Sequence, residues 1–167
     1  MAYQSPNTGV LGRGTEEMKT NDVTGRLKKG RACVAIEMGR PGVGTSMADL
    51  EKMAKLVASY GAVFEVCNPV YPLLKDPKTG QFHEEVLGER ALSAIIEVDV
   101  DLGILKDLLA AVKEMVDHID TVFSLDVATV MEGDKIPADE IVREAGFTRR
   151  ENGKTNIGVG RPKKEVV

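Results

Sequence analysis

Tryptophan is absent from this 167-residue chain, and aromatic residues make up only 4% of it, three Tyr and four Phe. A surface that stacks single-stranded bases needs exposed rings, so nucleic acid is not an expected partner. Only two Cys and two His occur, with no Cys-x-x-Cys and no paired-His spacing. That excludes a disulfide framework and gives no support to a zinc or iron–sulfur centre. No metal and no cofactor are predicted. No apolar run approaches the roughly 20 residues of a membrane helix. The opening Met-Ala-Tyr-Gln-Ser-Pro-Asn-Thr has neither the basic nor the apolar region of a signal peptide. The expected setting is cytoplasmic, with no membrane partner.

With rings so scarce, the core must come from Val, Ile, Leu, Ala and seven Met. A hydrophobic content of 43% over this length is enough for one domain with extensions. Net charge is −4, unevenly spread. Residues 1–31 carry six Lys/Arg against three acids, and residues 148–167 carry six against two. The interior, 32–147, holds ten basic and twenty-one acidic side chains. Basic arms on an acidic body suggest that an arm meets its own body, another copy, or a different acidic partner. Two solvated tails are the plainer alternative.

Two stretches of the chain resemble each other. Ala35-Ile36-Glu37, a helical segment and Val63-Phe64-Glu65-Val66 recur as Ile95-Ile96-Glu97, a helical segment and Val122-Phe123-Ser124-Leu125. The offsets are 60 residues for the first strand and 59 for the second. A repeated strand–helix–strand unit of this length predicts one domain with internal pseudo-two-fold symmetry.

Residues 1–30, rich in Gly, Asn, Thr and charge, read as an N-terminal arm. Period-two alternation over Arg31–Met38 predicts a strand. Met47, Leu50, Met53, Ala54 and Val57 then recur at helical spacing, with Ser46 and Asp49 in capping-box form and Gly61 as the stop. Ala62–Asn68 is the second expected strand, and 69–90, punctuated by Pro69, Pro72 and Pro77, a loop or hairpin between the halves 31–68 and 91–131. Leu92–Val98 is the third strand, with Asp99 or Asp101 capping a helix whose apolar face runs from Leu105 to Ile119. Val122–Val127, continuing to Met131, is the fourth, and Pro137 opens a short helix over 137–145. The domain is thus 31–147, followed by a basic tail over 148–167. The order matches the α+β, ferredoxin-like βαββαβ two-layer sandwich, with both helices on one face of a four-stranded antiparallel sheet. Covering both faces, as in a three-layer domain, would need more helix.

Alternation also assigns faces. If Ile36, Ile96, Phe64, Val66, Phe123 and Leu125 pack under the helices, the other face shows Cys33, Glu37, Val63, Glu65, Cys67, Ser93, Ile95, Glu97, Val122, Ser124 and Asp126. Glu37 and Glu97, matched by the repeat, should flank the pseudo-axis. Carboxylates so placed could bind a hard cation, hold one member protonated for acid–base work, or meet a basic partner. They could also form a plain solvated face. Exposed β-branched Val63, Ile95 and Val122 amid Glu37, Glu65, Glu97 and Asp126 favour an interface.

Gly39-Arg40-Pro41-Gly42-Val43-Gly44-Thr45-Ser46 has P-loop spacing between strand and helix, but Thr45 stands where the phosphate-clamping Lys belongs. Nucleotide hydrolysis is therefore not expected. An anion could still meet Arg40, Gly42, Gly44, Thr45 and Ser46 at the helix start, although Pro41 removes one donor. Ile157 and Val159 in the tail alternate with Gly, a pattern able to add a strand to a partner's sheet. The expected function is that of a small accessory or interaction protein, a homo-oligomer or a subunit, associating through its acidic sheet face and basic arms. The rival is a small-molecule enzyme or ligand sensor using Glu37 and Glu97 with the Gly-rich turn.

Overall fold

The computed structural model describes residues 27–40 and 42–148. Residues 1–26 of the expected arm (1–30), Pro41, and the expected basic tail (148–167) from Arg149 onward lie outside the described residues. Eight strands and three α-helices follow in chain order: β1 (Arg31–Met38), β2 (Thr45–Ser46), α1 (Met47–Ser59), β3 (Val63–Phe64), β4 (Leu74–Asp76), β5 (Gln81–Phe82), β6 (Arg90–Ala91), β7 (Ala94–Asp101), α2 (Leu102–Glu114), β8 (Phe123–Thr129) and α3 (Ala138–Glu144). The fold is mixed α+β with antiparallel sheets.

The main sheet runs β3-β7-β1-β8, every neighbouring pair antiparallel. Register places Ile36 opposite Ile96, Phe64 opposite Val98 and Phe123 opposite Met38. Even-numbered residues of β1 and β7 (Ala32, Val34, Ile36 and Met38; Ile96, Val98 and Val100) join the core with Leu50, Met53, Ala54 and Val57 of α1. Leu105, Leu108, Leu109 and Val112 of α2 complete it. Both helices therefore lie on one face. Each fully buried aliphatic side chain contributes about 1.5–3 kcal/mol, so this layer dominates stability.

The helix starts follow their sequence signals. Ser46 Oγ accepts the Asp49 N–H at 3.0 Å and caps α1, while Asp101 accepts the Gly103 N–H at 2.7 Å and caps α2. The segment between the halves folds back on α1 as the β4–β5 hairpin, which buries Phe82 completely. Glu51 of α1 accepts the Phe82 N–H at 3.0 Å. Gly80 touches α1 backbone: a Cβ there would sit 2.3 Å from Ala54 O, and its φ is +73°. α3 lies against α2, linked by Lys106 to Glu144 at 2.8 Å and Lys113 to the Gly146 carbonyl at 3.0 Å.

Three boundaries differ from the sequence expectation. The strand expected over Ala62–Asn68 is only Val63–Phe64. Its backbone leaves the ladder because Glu65 Oε1 captures the Cys67 N–H and Asn68 Oδ1 captures the Val70 N–H. Such side-chain-to-backbone bonds set turns instead of strands. As a result Val66, expected under the helices, is 63% exposed. The strand expected over Leu92–Val98 runs three residues further, to Asp101, because Asp101 and not Asp99 caps α2. β8 begins at Phe123 and ends at Thr129, leaving Val122 outside it.

Candidate functional site

The helix-free face is built from odd-numbered residues of β1 and β7 and even-numbered residues of β8. Register defines its rows across the strands. Glu65, whose N–H donates to the Glu97 carbonyl at 2.9 Å, begins one row that continues through Glu97, Ala35 and Asp126. A second row runs Val63, Asp99, Cys33 and Ala128; a third runs Ile95, Glu37 and Ser124. The structure thus brings Glu37, Glu65, Glu97 and Asp126 onto one surface with Val63 and Ile95.

The centre of that surface is closed to solvent. Glu97 is 2% exposed and Glu37 7%. Ile95, expected to be an exposed interface residue, is buried, at 7% exposure, opposite Glu37. Of the three expected exposed β-branched residues, Val63 on the edge strand and Val122 before β8 remain so, at 59% and 43%.

Glu37 and Glu97 face the same way but stand diagonally, Glu37 opposite Ile95 and Glu97 opposite Ala35. Their partners differ. Glu37 Oε2 accepts from Arg40 at 3.2 Å and from the Ser124 hydroxyl at 3.1 Å. Glu97 Oε1 accepts from the Cys33 thiol at 3.5 Å. Beside them Arg31 holds Asp99 with three contacts of 3.0–3.2 Å. Among the described residues no group of three or more His, Cys, Asp or Glu is arranged to hold a metal ion. No described helix is long and apolar enough to cross a membrane.

A cleft of about 250 Å³ opens beside Glu97. It is lined by Leu27, Val63, Phe64, Val66, Val98 and Ala128 together with Cys33, Glu65, Glu97 and Asp99. Cys33 of β1 and Ala128 of β8, small side chains in one row with Val63 and Asp99, are part of its lining. Leu27 shows that the chain enters the domain along this side.

The Gly-rich turn is organised around itself. Val43 and Gly44 donate to the Gly39 carbonyl at 3.1 Å, and Gly39 donates to Val122 O at 2.8 Å. A Cβ on Gly39 would meet the Gly44 backbone at 2.8 Å. At the helix start Met47 N–H goes to Glu89 O, Asp49 N–H to Ser46, and the buried Thr45 hydroxyl to Ser46 O. Arg40 turns away to Glu37. Gly42 makes no use of its conformational freedom beyond closing the turn. Of the groups expected to meet an anion here, Arg40, Gly44, Thr45 and Ser46 are engaged within the chain, and the Asp49 carboxylate stands at the same helix end. Burial pushes the Asp49 pKa up, but hydrogen bonds from Lys52, Ser46 and the Asp120 N–H outweigh it and hold the carboxyl below its ordinary value.

Sequence reading missed Asp99, Arg31, Leu27 and Ala128 as parts of this site. The signal for Asp99 was present: it follows Glu97 by two positions and shares its face. The place of Ala128 beside Cys33 becomes meaningful only once strand order is known. No protein-family model matches this chain, and no curated protein or solved structure is significantly similar to it.

Proposed function

We propose that this chain is an association module built on a duplicated ferredoxin-like βαββαβ unit, and that its helix-free sheet face receives a basic segment of a partner. The repeat finds support in the register. An offset of 60 turns Ile36 into Ile96, which are direct partners, so a dyad would pass between them. The same dyad carries the Phe64–Val98 pair onto Phe123–Met38, matching the offset of 59.

The observation that carries the association reading is the accessible ends of one row, Glu65 and Asp126, on a face free of covering helices among the described residues and bordered by exposed Val63. It complements residues 148–167, with six basic side chains against two acidic. Exposed apolar residues beside a charged strip are the usual composition of a contact surface. The rival, a Glu37–Glu97 acid–base pair, gains no support, since the two carboxylates hold separate partners.

Native mass measurement of the full chain and of a chain ending at residue 148 tests the reading. The full chain should form an assembly that weakens on truncation and in about 0.5 M salt, where charges are screened beyond a few ångströms. A full chain that is monomeric at every concentration and retains no partner from extract would overturn it.

A further inference from the structure

The two edges of the main sheet are finished differently. β3 pairs over two residues before Glu65 and Asn68 turn the backbone away, whereas β8 runs for seven residues with no register shift, Pro or Lys. Edge strands normally carry such devices against further pairing. Gly39 N–H donates to the Val122 carbonyl at 2.8 Å, so Ser124, Asp126 and Ala128, in the same phase, are the residues that bond β1. The N–H and C=O groups of Phe123, Leu125, Val127 and Thr129 therefore point out of the sheet, where no described strand lies. The side chains of Phe123, Leu125 and Val127 are only half-buried, while Ile36 and Ile96 in the neighbouring strands are fully buried.

We propose that this edge is the docking site of residues 154–160 of the same chain, which add a fifth strand parallel to β8. The placement follows from α3. β7 and β8 are parallel, and the β7–α2–β8 crossover moves through the helix layer toward the β8 side. α3 packs against α2 and β8 in that layer, so a crossover of the same hand from β8 through α3 arrives outside β8. α2 starts level with the end of β8 and leads back to its beginning. There Lys113 holds the Gly146 carbonyl and lies 5.8 Å from the Phe147 ring, which sets the chain at the start of the open edge. Residues 149–153 make a connection of ordinary length, with Asn152-Gly153 as its turn, and Pro162 ends the pairing. Thr155, Ile157 and Val159 alternate with Asn156, Gly158 and Gly160, which lays three β-branched side chains beside Phe123, Leu125 and Val127. Arg149, Arg150, Arg161, Lys163 and Lys164 stay outside the added strand, so the inference is independent of the association reading.

Residue-resolved amide hydrogen exchange on the full chain tests this, with Gly158→Pro and Gly158→Val as variants. In a parallel pair of this phase, the groups facing Leu125 and Val127 belong to Asn156 and Gly158. The Leu125 and Val127 amides should exchange about tenfold more slowly in the natural chain than in the Gly158→Pro chain, where the facing donor is gone. Gly158→Val, which adds strand preference on the open face, should slow them further. Equal exchange in the natural and Gly158→Pro chains, or faster exchange in Gly158→Val, would overturn the inference. So would protection that rises with protein concentration, which would assign the strand to a second copy. A salt-sensitive assembly with a fast-exchanging β8 edge sinks only this inference. A protected edge in a chain that stays monomeric and retains no partner sinks only the association reading.

Discussion

The two strand–helix–strand halves of this molecule share a core and differ in what is added to it. Each has a long interior strand, a 13-residue helix and an edge strand. In the first half, the turn after β1 delivers Arg40 to Glu37 and Ser124 adds a hydroxyl, so the carboxylate is neutralised on the spot. In the second half Asp101 begins α2 directly after β7, no comparable turn exists, and Glu97 meets a thiol beside a cleft. The helices are supported differently as well: α1 by the β4–β5 hairpin through Glu51, Gly80 and Phe82, α2 by α3 through polar contacts at its surface. The loops attached to the two halves decide what each carboxylate meets.

Substitutions that attack these additions sharpen the contrast. The largest effect is expected at the hairpin on α1. Phe82→Ala should cost about 3–5 kcal/mol in urea unfolding, since the ring is fully buried against that helix. Gly80→Ala should cost about 3 kcal/mol, combining a left-handed backbone with a clash against Ala54 O. If either loss stays below about 1 kcal/mol, the hairpin is not the first half's support. Glu37→Gln should cost about 1 kcal/mol, because Arg40 loses its ion pair but can turn toward water. An unchanged unfolding midpoint would mean that the turn does not neutralise Glu37.

Acid should act on the first half before the second. The Glu51 carboxyl is pushed up by burial, but Lys55 and the Phe82 N–H bring it below its ordinary value of 4.5. Asp49 likewise lies below 3.8. A depressed carboxylate gives its full stabilisation above the ordinary pKa and loses it as pH falls through the folded-state value. Hydrogen exchange should therefore show the hairpin and the α1 start loosening below about pH 4 while α2 stays protected. Glu51→Gln should flatten that response in the hairpin, and uniform loosening would break the contrast. The smallest effect is expected at the Lys106–Glu144 pair between α2 and α3. Both groups are fully exposed, so Lys106→Met should leave the unfolding midpoint unchanged.

Much of this architecture was legible in residue periodicity. β1 was placed over Arg31–Met38 by alternation alone, and α1 by its capping box and apolar stripe. The hairpin between the halves was readable from Asp76-Pro77-Lys78-Thr79-Gly80, but its docking against α1 was not, because that depends on a backbone contact at Gly80. β3 was overestimated for a related reason: the side chains of Glu65 and Asn68 satisfy backbone donors locally, and no hydrophobic pattern registers that competition. Face assignment placed the site's carboxylates together, since it needs only a period of two. It did not anticipate the burial of Glu37 and Glu97, which depends on tertiary neighbours. The cleft required knowing that Cys33 faces Ala128 across a strand pair.

The position of β1 in the sheet has a consequence for biosynthesis. Of the described strands it is the first to leave the ribosome, yet its neighbours are β7 and β8, not β3. Its hydrogen-bonding edges stay unmatched until Asp101 and then Thr129 have emerged. The nascent first half therefore has no partner strand for β1, and closing those long loops makes the second half the trigger for sheet assembly.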